Sequence, residues 1–164
     1  MRLTAIRPGD EPFVEEACRG FLDEHMRLWD AAYGLGWSDE LRAAHVEAVV
    51  PRDVRRIWDA ARQHERNLIA VLRDGDRARA AVWGEMTVHP YLGLHVGIIG
   101  WIWVDPPLRG EGHGARLVRQ VKDWSAMQGC KHVELSVIAA NIAAVRMYER
   151  EGFAVVDHRM LARL

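Results

Sequence analysis

Cysteine is scarce: Cys18 and Cys130 are the only two in 164 residues, and neither sits in a C-x-x-C pair or beside a histidine cluster. That excludes the ligand spacing of a structural zinc site and the dense cysteine framework of small secreted domains. Two reduced thiols in a cytoplasmic protein are the expected state. The eight histidines are scattered without an H-x-x-x-H pair, so no metal is expected. An excess of one charge is also missing. With 22 basic and 23 acidic residues the net charge is -1, which disfavours a nucleic-acid binder driven by phosphate contacts. Only Lys122 and Lys131 among the basic residues are lysine. Long apolar runs are lacking too. The longest uncharged stretch of note, Pro90 to Val104, is interrupted by His95 and falls short of the roughly 20 residues that span a bilayer. The opening Met1 to Pro8 has no apolar run and no small-residue cleavage site, so neither a secretory signal nor a membrane partner is expected. No repeat and no low-complexity tract occurs.

What is present is the composition of a folded chain, 49% hydrophobic and 27% charged. The length suits one domain over residues 1–164. Leu3 to Ile6 reads as a short strand, closed by Arg7-Pro8-Gly9-Asp10. Phe13, Ala17, Phe21, Leu22, His25 and Leu28 recur at helical spacing, and Tyr33 to Trp37 breaks that helix. Ser38 caps a second helix, and Pro51 starts a third through Val54, Ile57, Trp58 and Ala61. Leu68 to Leu72, a turn at Asp74-Gly75-Asp76, and Ala78 to Val88 read as a hairpin. His95 to Val104 is nearly continuous in apolar content, as a strand covered on both faces would be. A helix from about Gly114 to Gln128, a strand from His132 to Val137, a helix from about Asn141 to Glu151 and a last strand around Phe153 to Leu161 complete the order. This is a mixed α/β sheet with helices on both faces.

The stretch that carries chemistry is Val104-Asp105-Pro106-Pro107-Leu108-Arg109-Gly110-Glu111-Gly112-His113-Gly114-Ala115. A buried strand runs into alternating glycines that open an amphipathic helix. Glycines let backbone N–H groups approach an anion, and the helix start adds the positive end of its dipole. Together they form a cradle for a pyrophosphate, to which Arg109 adds a charge-assisted contact. The Gly-Lys-Ser/Thr of a Walker loop is absent, and glycines at 110, 112 and 114 do not have the G-x-G-x-x-G spacing of a dinucleotide fold.

The stretch resembles the GNAT superfamily of acyl-CoA-dependent N-acetyltransferases. Its pattern is Val104-x-Pro106 and then Arg109-x-x-Gly112-x-Gly114; a second motif follows, Asn141 opening a helix, then Tyr148 and Gly152-Phe153. The two motifs cover about Val96 to Phe153, and the opening Ile6 to Asp10 is of a kind common in the family. The resemblance implies the GNAT fold, acetyl-CoA as cosubstrate and a small-molecule or peptide amine as acceptor. It implies that Arg109, Gly110, Glu111, Gly112, His113, Gly114 and Ala115 bind the CoA pyrophosphate, although His113 stands where the family usually has an aliphatic residue. Trp103 and Val104, and with them Ile102, would pair with the pantetheine arm and polarise the acetyl carbonyl. Asn141 would contact that arm, and Tyr148 would protonate the leaving thiolate. Homodimers are frequent in the family.

The general base is open among Glu85, His95, Glu134 and Ser136, with Glu85 first because the equivalent strand often faces the acceptor. Alternation puts Glu134 and Ser136 opposite Val133, Leu135 and Val137. Trp29, Tyr33 and Trp37 lie where the family builds its acceptor loop, so they are either an aromatic acceptor wall or core. Trp58 and Trp124 have core spacing. Residues 1–40 hold nine acids and four bases; Asp23, Glu24, Asp30, Asp39 and Glu40 either attract a cationic amine or form a solvated face. The alternatives are a longer acyl-CoA as donor and a GNAT-fold domain that binds CoA or a protein without transfer.

Overall fold

A computed structural model describes residues 1–162. Five strands form one sheet in sequence order: β1 (Arg2–Ala5), β2 (Asn67–Asp74), β3 (Arg77–Val88), β4 (His95–Val104) and β5 (His132–Leu135). The first three pairings are antiparallel, and β5 joins β4 in parallel through Val96↔His132 to Ile99↔Leu135. Helices α1 (Glu11–Tyr33) and α2 (Asp39–Arg62) cover one face; α3 (His113–Met127) and α4 (Ile142–Arg150) cover the other. The strand that the apolar run 95–104 announced has those bounds, and each of its faces is covered.

The two cores differ in kind. Under α3 and α4 lie aliphatic residues, with Leu72, Val82, Ile99, Leu117, Val118 and Val121 packed around Tyr148. Under α1 and α2, small residues such as Ala17, Ala78 and Ala81 make room for the rings of Trp101 and Trp103. The closest approach is at Gly20 of α1, where an added Cβ would stand 2.3 Å from the Trp103 ring. Only glycine lets α1 cross β4 this closely. Trp124 is buried and Trp58 packs against the α1/α2 core, as their spacing predicts.

Two expected features are absent among the described residues. Pro51 does not start a separate helix; α2 runs through it from Asp39 to Arg62. A helix-interior proline costs ~3 kcal/mol. Burial of Val46 and Val50 before it and Ile57 and Ala60 after it, at roughly 1.5–3 kcal/mol for a large aliphatic side chain, offsets that cost. Nor do residues 153–161 form a strand: the chain past α4 makes no ladder, and Val156 is 92% exposed. The β-prone composition there meets no partner strand and no burial, and strand preference is expressed only through those.

Candidate functional site

The site grows from one extra residue in β4. Trp83 pairs with Trp101 and Gly84 with Ile99, so Gly100 is an unpaired bulge. It falls one residue past Ile99↔Leu135, the last pair with β5. A bulge bends its strand and increases the local twist. Beyond it β4 runs on to Val104 along β3, while β5 stops; the two strands part in a fork. The bulge also inverts the alternation of side chains. Before it Ile99 packs under α3; after it Trp101 and Trp103 turn to the α1/α2 face.

The upper arm of the fork has an open backbone edge. Asp105 donates its N–H to the Arg79 carbonyl at 3.0 Å, which makes 105 and 79 a hydrogen-bonded pair. In an antiparallel ladder such pairs alternate, so Trp103 bonds toward β3 while Val104 and Ile102 turn their N–H and C=O groups to the open side. Arg109 Nε donates to the Val104 carbonyl there, at 3.0 Å.

At the top of the fork, Gly110 and Gly112 have φ of +84° and +82°. A Cβ at either would meet nothing within 4 Å; the glycines answer a left-handed backbone beside open space, not a crowded one. Gly112 is the N-cap of α3, and no side chain caps it. The contrast with α2 and α4 is informative; the N-cap of α1, Asp10, makes no side-chain cap bond either. Ser38 Oγ accepts from Leu41 N–H at the start of α2, and Asn141 Oδ1 accepts from Ala144 N–H at the start of α4, each at 3.2 Å. The N–H groups in the first turn of α3 have no side-chain partner, the condition in which a helix start can receive an anion. His113 is held 3.2 Å from a Glu111 carboxylate oxygen, and Gly114 lies against Met147 of α4. Arg109 is turned away from this helix start. It pairs with Glu24 of α1 at 2.7 Å and lies over the Trp103 ring at 4.7 Å.

The candidate residues fall on opposite faces of the fork. Tyr148 projects from α4 into one cluster with Ile99 and Leu135, the pair that closes the fork. Its ring meets Phe153 edge-on at 5.8 Å, and burial pushes its hydroxyl up to about 12. Glu85 and Glu134 face the other way. Gly84 and Gly97 lie under Val121 and Ser125 of α3, and Val133 and Leu135 pack on that side; their neighbours Glu85, Ile98 and Glu134 therefore face α1 and α2. The register aligns Glu85↔Ile98↔Glu134, two residues below the bulge on β4. Two strand spacings put the carboxylate positions about 10 Å apart across Ile98. His95 is exposed at the far end of β4, and Ser136 is exposed just past β5.

Helix α1 reaches over the fork. Its first turn is fixed at the other side of the sheet, where buried Asp10 accepts two bonds from Arg73 of β2, one at 2.7 Å. Burial pushes the Asp10 carboxyl up, but Arg73 and the Arg7 N–H outweigh it and hold it below the ordinary range. Ten residues on, Gly20 and Phe21 meet Trp103 and Trp101 of β4. At 1.5 Å per residue, Glu24 and His25 stand a further ~6 Å along, past the edge of β4. Trp37, by contrast, packs on His45 of α2 at 5.1 Å. Cys18 and Cys130 are both free and buried, and burial pushes the Cys18 thiol up to about 12. Among the described residues no three His, Cys, Asp or Glu side chains gather as metal ligands, and no helix is long and apolar enough to cross a membrane.

Sequence reasoning missed three parts of this site. Glu24 lies 85 residues from Arg109, and nothing local signals the pair. The bulge had a signal, a glycine inside an apolar strand. His25 stood in view at helical spacing with Phe21 and Trp29, but among core positions.

Comparison with known proteins follows the same outline. The family model described as "Acetyltransferase (GNAT) family" matches residues 22–153. Aminoglycoside N(6')-acetyltransferase type 1 of Serratia marcescens is 29% identical over 68 residues, which are 42% of this chain and 47% of that protein. The chain thus matches about half the length of that relative. The fold is shared with a tetramutant of the BH1408 protein from Bacillus halodurans, at TM-score 0.79 and 19% identity over 100% of both chains. It is shared also with glucosamine-6-phosphate N-acetyltransferase of Arabidopsis thaliana, at TM-score 0.64 and 17% identity over 99% of this chain and 97% of that one.

Proposed function

The chain belongs to the acetyltransferase (GNAT) family, and we propose that it moves an acetyl group from acetyl-CoA to a primary amine of a small molecule or peptide by direct transfer in a ternary complex. The observation that carries this reading is the fork: an open β4 edge leading to an uncapped helix start, with Tyr148 on one face and Glu85 and Glu134 on the other. That two of the matched proteins are named as N-acetyltransferases, one of an aminoglycoside and one of glucosamine-6-phosphate, supports an amine as acceptor.

Bound acetyl-CoA supplies an activated carbonyl on a thiol leaving group. Gly110, Glu111, Gly112, His113, Gly114 and Ala115 hold its pyrophosphate through backbone N–H groups, in the space where a side chain at 110 or 112 would stand. Arg109 adds its charge once it leaves Glu24. Ile102 and the Val104 N–H pair with the pantetheine arm, the Val104 carbonyl accepting from Arg109 Nε, and an N–H on that edge polarises the carbonyl of the acetyl group. The Trp103 ring backs Arg109. Asn141 spends its Oδ1 on capping α4 and keeps its amide N–H groups for the arm. An amine arrives protonated, with an ordinary pKa near 10.4. Glu85 takes that proton, and Glu134 holds the cation from across Ile98. Tyr148 gives its hydroxyl proton to the departing sulfur and is restored by the second proton that the amine nitrogen sheds as it becomes an amide; burial keeps the hydroxyl protonated across the physiological range. The two buried thiols suit a cytoplasmic setting.

Thermal unfolding with and without acetyl-CoA, run beside Gly112→Trp, tests the donor half. At about 100 times Kd the ligand adds ~2.7 kcal/mol to the native state. For a chain of this length that is a rise in Tm of roughly 5–10 °C. The rise is expected in the parent and not in the variant. A parent that gains nothing from acetyl-CoA, CoA or a longer acyl-CoA overturns the reading.

A further inference from the structure

The wall beside the fork narrows the acceptor, an inference that rests on the transferase reading above. Past the edge of β4, the sheet-facing stripe of α1 is aromatic. The Phe21 ring stands 6.3 Å from Trp101, His25 stacks on Phe21 at 3.8 Å, and Trp29 meets His25 edge-on at 5.8 Å. The track leads from the buried Trp101 beside the bulge to Trp29, which is 39% exposed. His25 belongs to it as a neutral ring. Its Nδ1 lies 2.9 Å from the Phe21 carbonyl, which can only accept, so Nδ1 carries the proton. Burial lowers the His25 pKa from its ordinary value, against smaller opposing effects of that hydrogen bond and of Glu24.

Charge points the same way. Four of the five acids singled out at this end of the chain are already engaged, and the fifth, Glu40, is exposed at the start of α2. Asp23 pairs with Arg27 and Arg42, Asp39 with Arg42 and Glu24 with Arg109, while Asp30 accepts from the Trp37 N–H. The indole faces of Trp103 and Trp83, which attract cations, carry Arg109 and Arg56. Among the described residues, Glu85 and Glu134 make no ion pair, and they lie on the same side of the sheet as the aromatic track. The two carboxylates give an ammonium group a place beside a long uncharged surface.

We propose that the acceptor is a monoamine carried on an aromatic or similarly flat apolar body, which lies along His25 and Trp29 while its amine reaches Glu85 and Glu134. A polycationic amino sugar would bring its further ammonium groups toward Arg56 and Arg109, which already occupy the indole faces of Trp83 and Trp103. Ring contacts of this kind contribute roughly 0.5–1.5 kcal/mol beyond area burial, so a preference of about tenfold is the scale to look for.

The test compares initial rates at saturating acetyl-CoA for 2-phenylethylamine, n-butylamine and kanamycin. The expected result is a kcat/KM for 2-phenylethylamine at least about tenfold above both others. Trp29→Ala brings the ratio of 2-phenylethylamine to n-butylamine down about tenfold, and Trp29→Phe restores it. Kanamycin as the best acceptor, a ratio near one in the parent, or a ratio untouched by Trp29→Ala overturns the inference. Stabilisation by acetyl-CoA with no turnover of any of the three also overturns it, and leaves donor binding standing. Loss of acetyl-CoA binding altogether removes the transferase reading, and this inference with it.

Discussion

On the proposed function, the donor side and the acceptor side of β4 are built from different materials. The donor side is mostly backbone: the open edge at Ile102 and Val104, the left-handed turns at Gly110 and Gly112, and the uncapped start of α3. The proposed acceptor side is side chains carried by separate elements: Glu85 on β3, Glu134 on β5, and Phe21, His25 and Trp29 on α1. A backbone site must be written as a short contiguous run, because only local sequence sets φ and leaves amides bare. A side-chain site can be gathered from anywhere, so it varies without disturbing the donor. The difference also sets what breaks each side.

The largest effect is expected at the root of α1. Asp10→Asn leaves the Arg73 guanidinium, 2% exposed, without its carboxylate. Removing one partner of a buried pair costs about 3–5 kcal/mol. Denaturant melts should show this loss at neutral pH. Because the Asp10 carboxyl is held below its ordinary value of 3.8, its contribution is present above that pH and lost as pH falls through the lower folded value. The parent's stability should therefore drop in that acid range more steeply than the variant's. If α1 acts as a beam fixed at Asp10, the variant's acceptor KM rises while its acetyl-CoA KM holds; an equal rise in both would erase the division between the two sides.

Tyr148→Phe is next. The ring stays, so the packing with Phe153 and the α3/α4 core stays. If this hydroxyl protonates the sulfur, kcat falls about 100-fold, at the low end for general acids. An unchanged kcat at saturating acetyl-CoA removes the role. Burial raises the folded-state pKa from 10.0 to about 12, so the parent is destabilised progressively between those pH values. The phenylalanine variant should lack that alkaline loss.

Glu85→Gln and Glu134→Gln separate the two carboxylates. Loss of a general base costs about 100-fold or more in kcat/KM. Loss of a charge that only holds the ammonium costs about tenfold and appears in the acceptor KM. The larger loss is expected at Glu85. The reverse order reassigns the base to β5.

The same contrast governs how much the sequence revealed. The bounds of β4, the glycine loop and the cap at Asn141 could be read because each is a local demand of backbone geometry. The continuity of α2 through Pro51 could not, because burial of Val46, Val50, Ile57 and Ala60 against distant partners decides it. The tail from Phe153 to Leu161 reads as a strand by composition, yet pairing is a property of two segments. The acids of the first 40 residues looked free in sequence. Only the fold brings Arg42 to Asp23 and Arg109 to Glu24.

Glu24 is where the two sides meet, and its effect should be the smallest. It draws Arg109 toward α1 and away from the helix start where a pyrophosphate would sit. The two side chains are 44% and 40% exposed, so solvent screens the pair to about 0–1 kcal/mol. Glu24→Gln should free the guanidinium and lower the acetyl-CoA KM by up to about fivefold at low salt. Near 1 M salt the Debye length shrinks to about 3 Å, and the gain should vanish. A rise in KM would mean the opposite arrangement: Glu24 holds Arg109 in place for the donor, and α1 then belongs to both sides of β4.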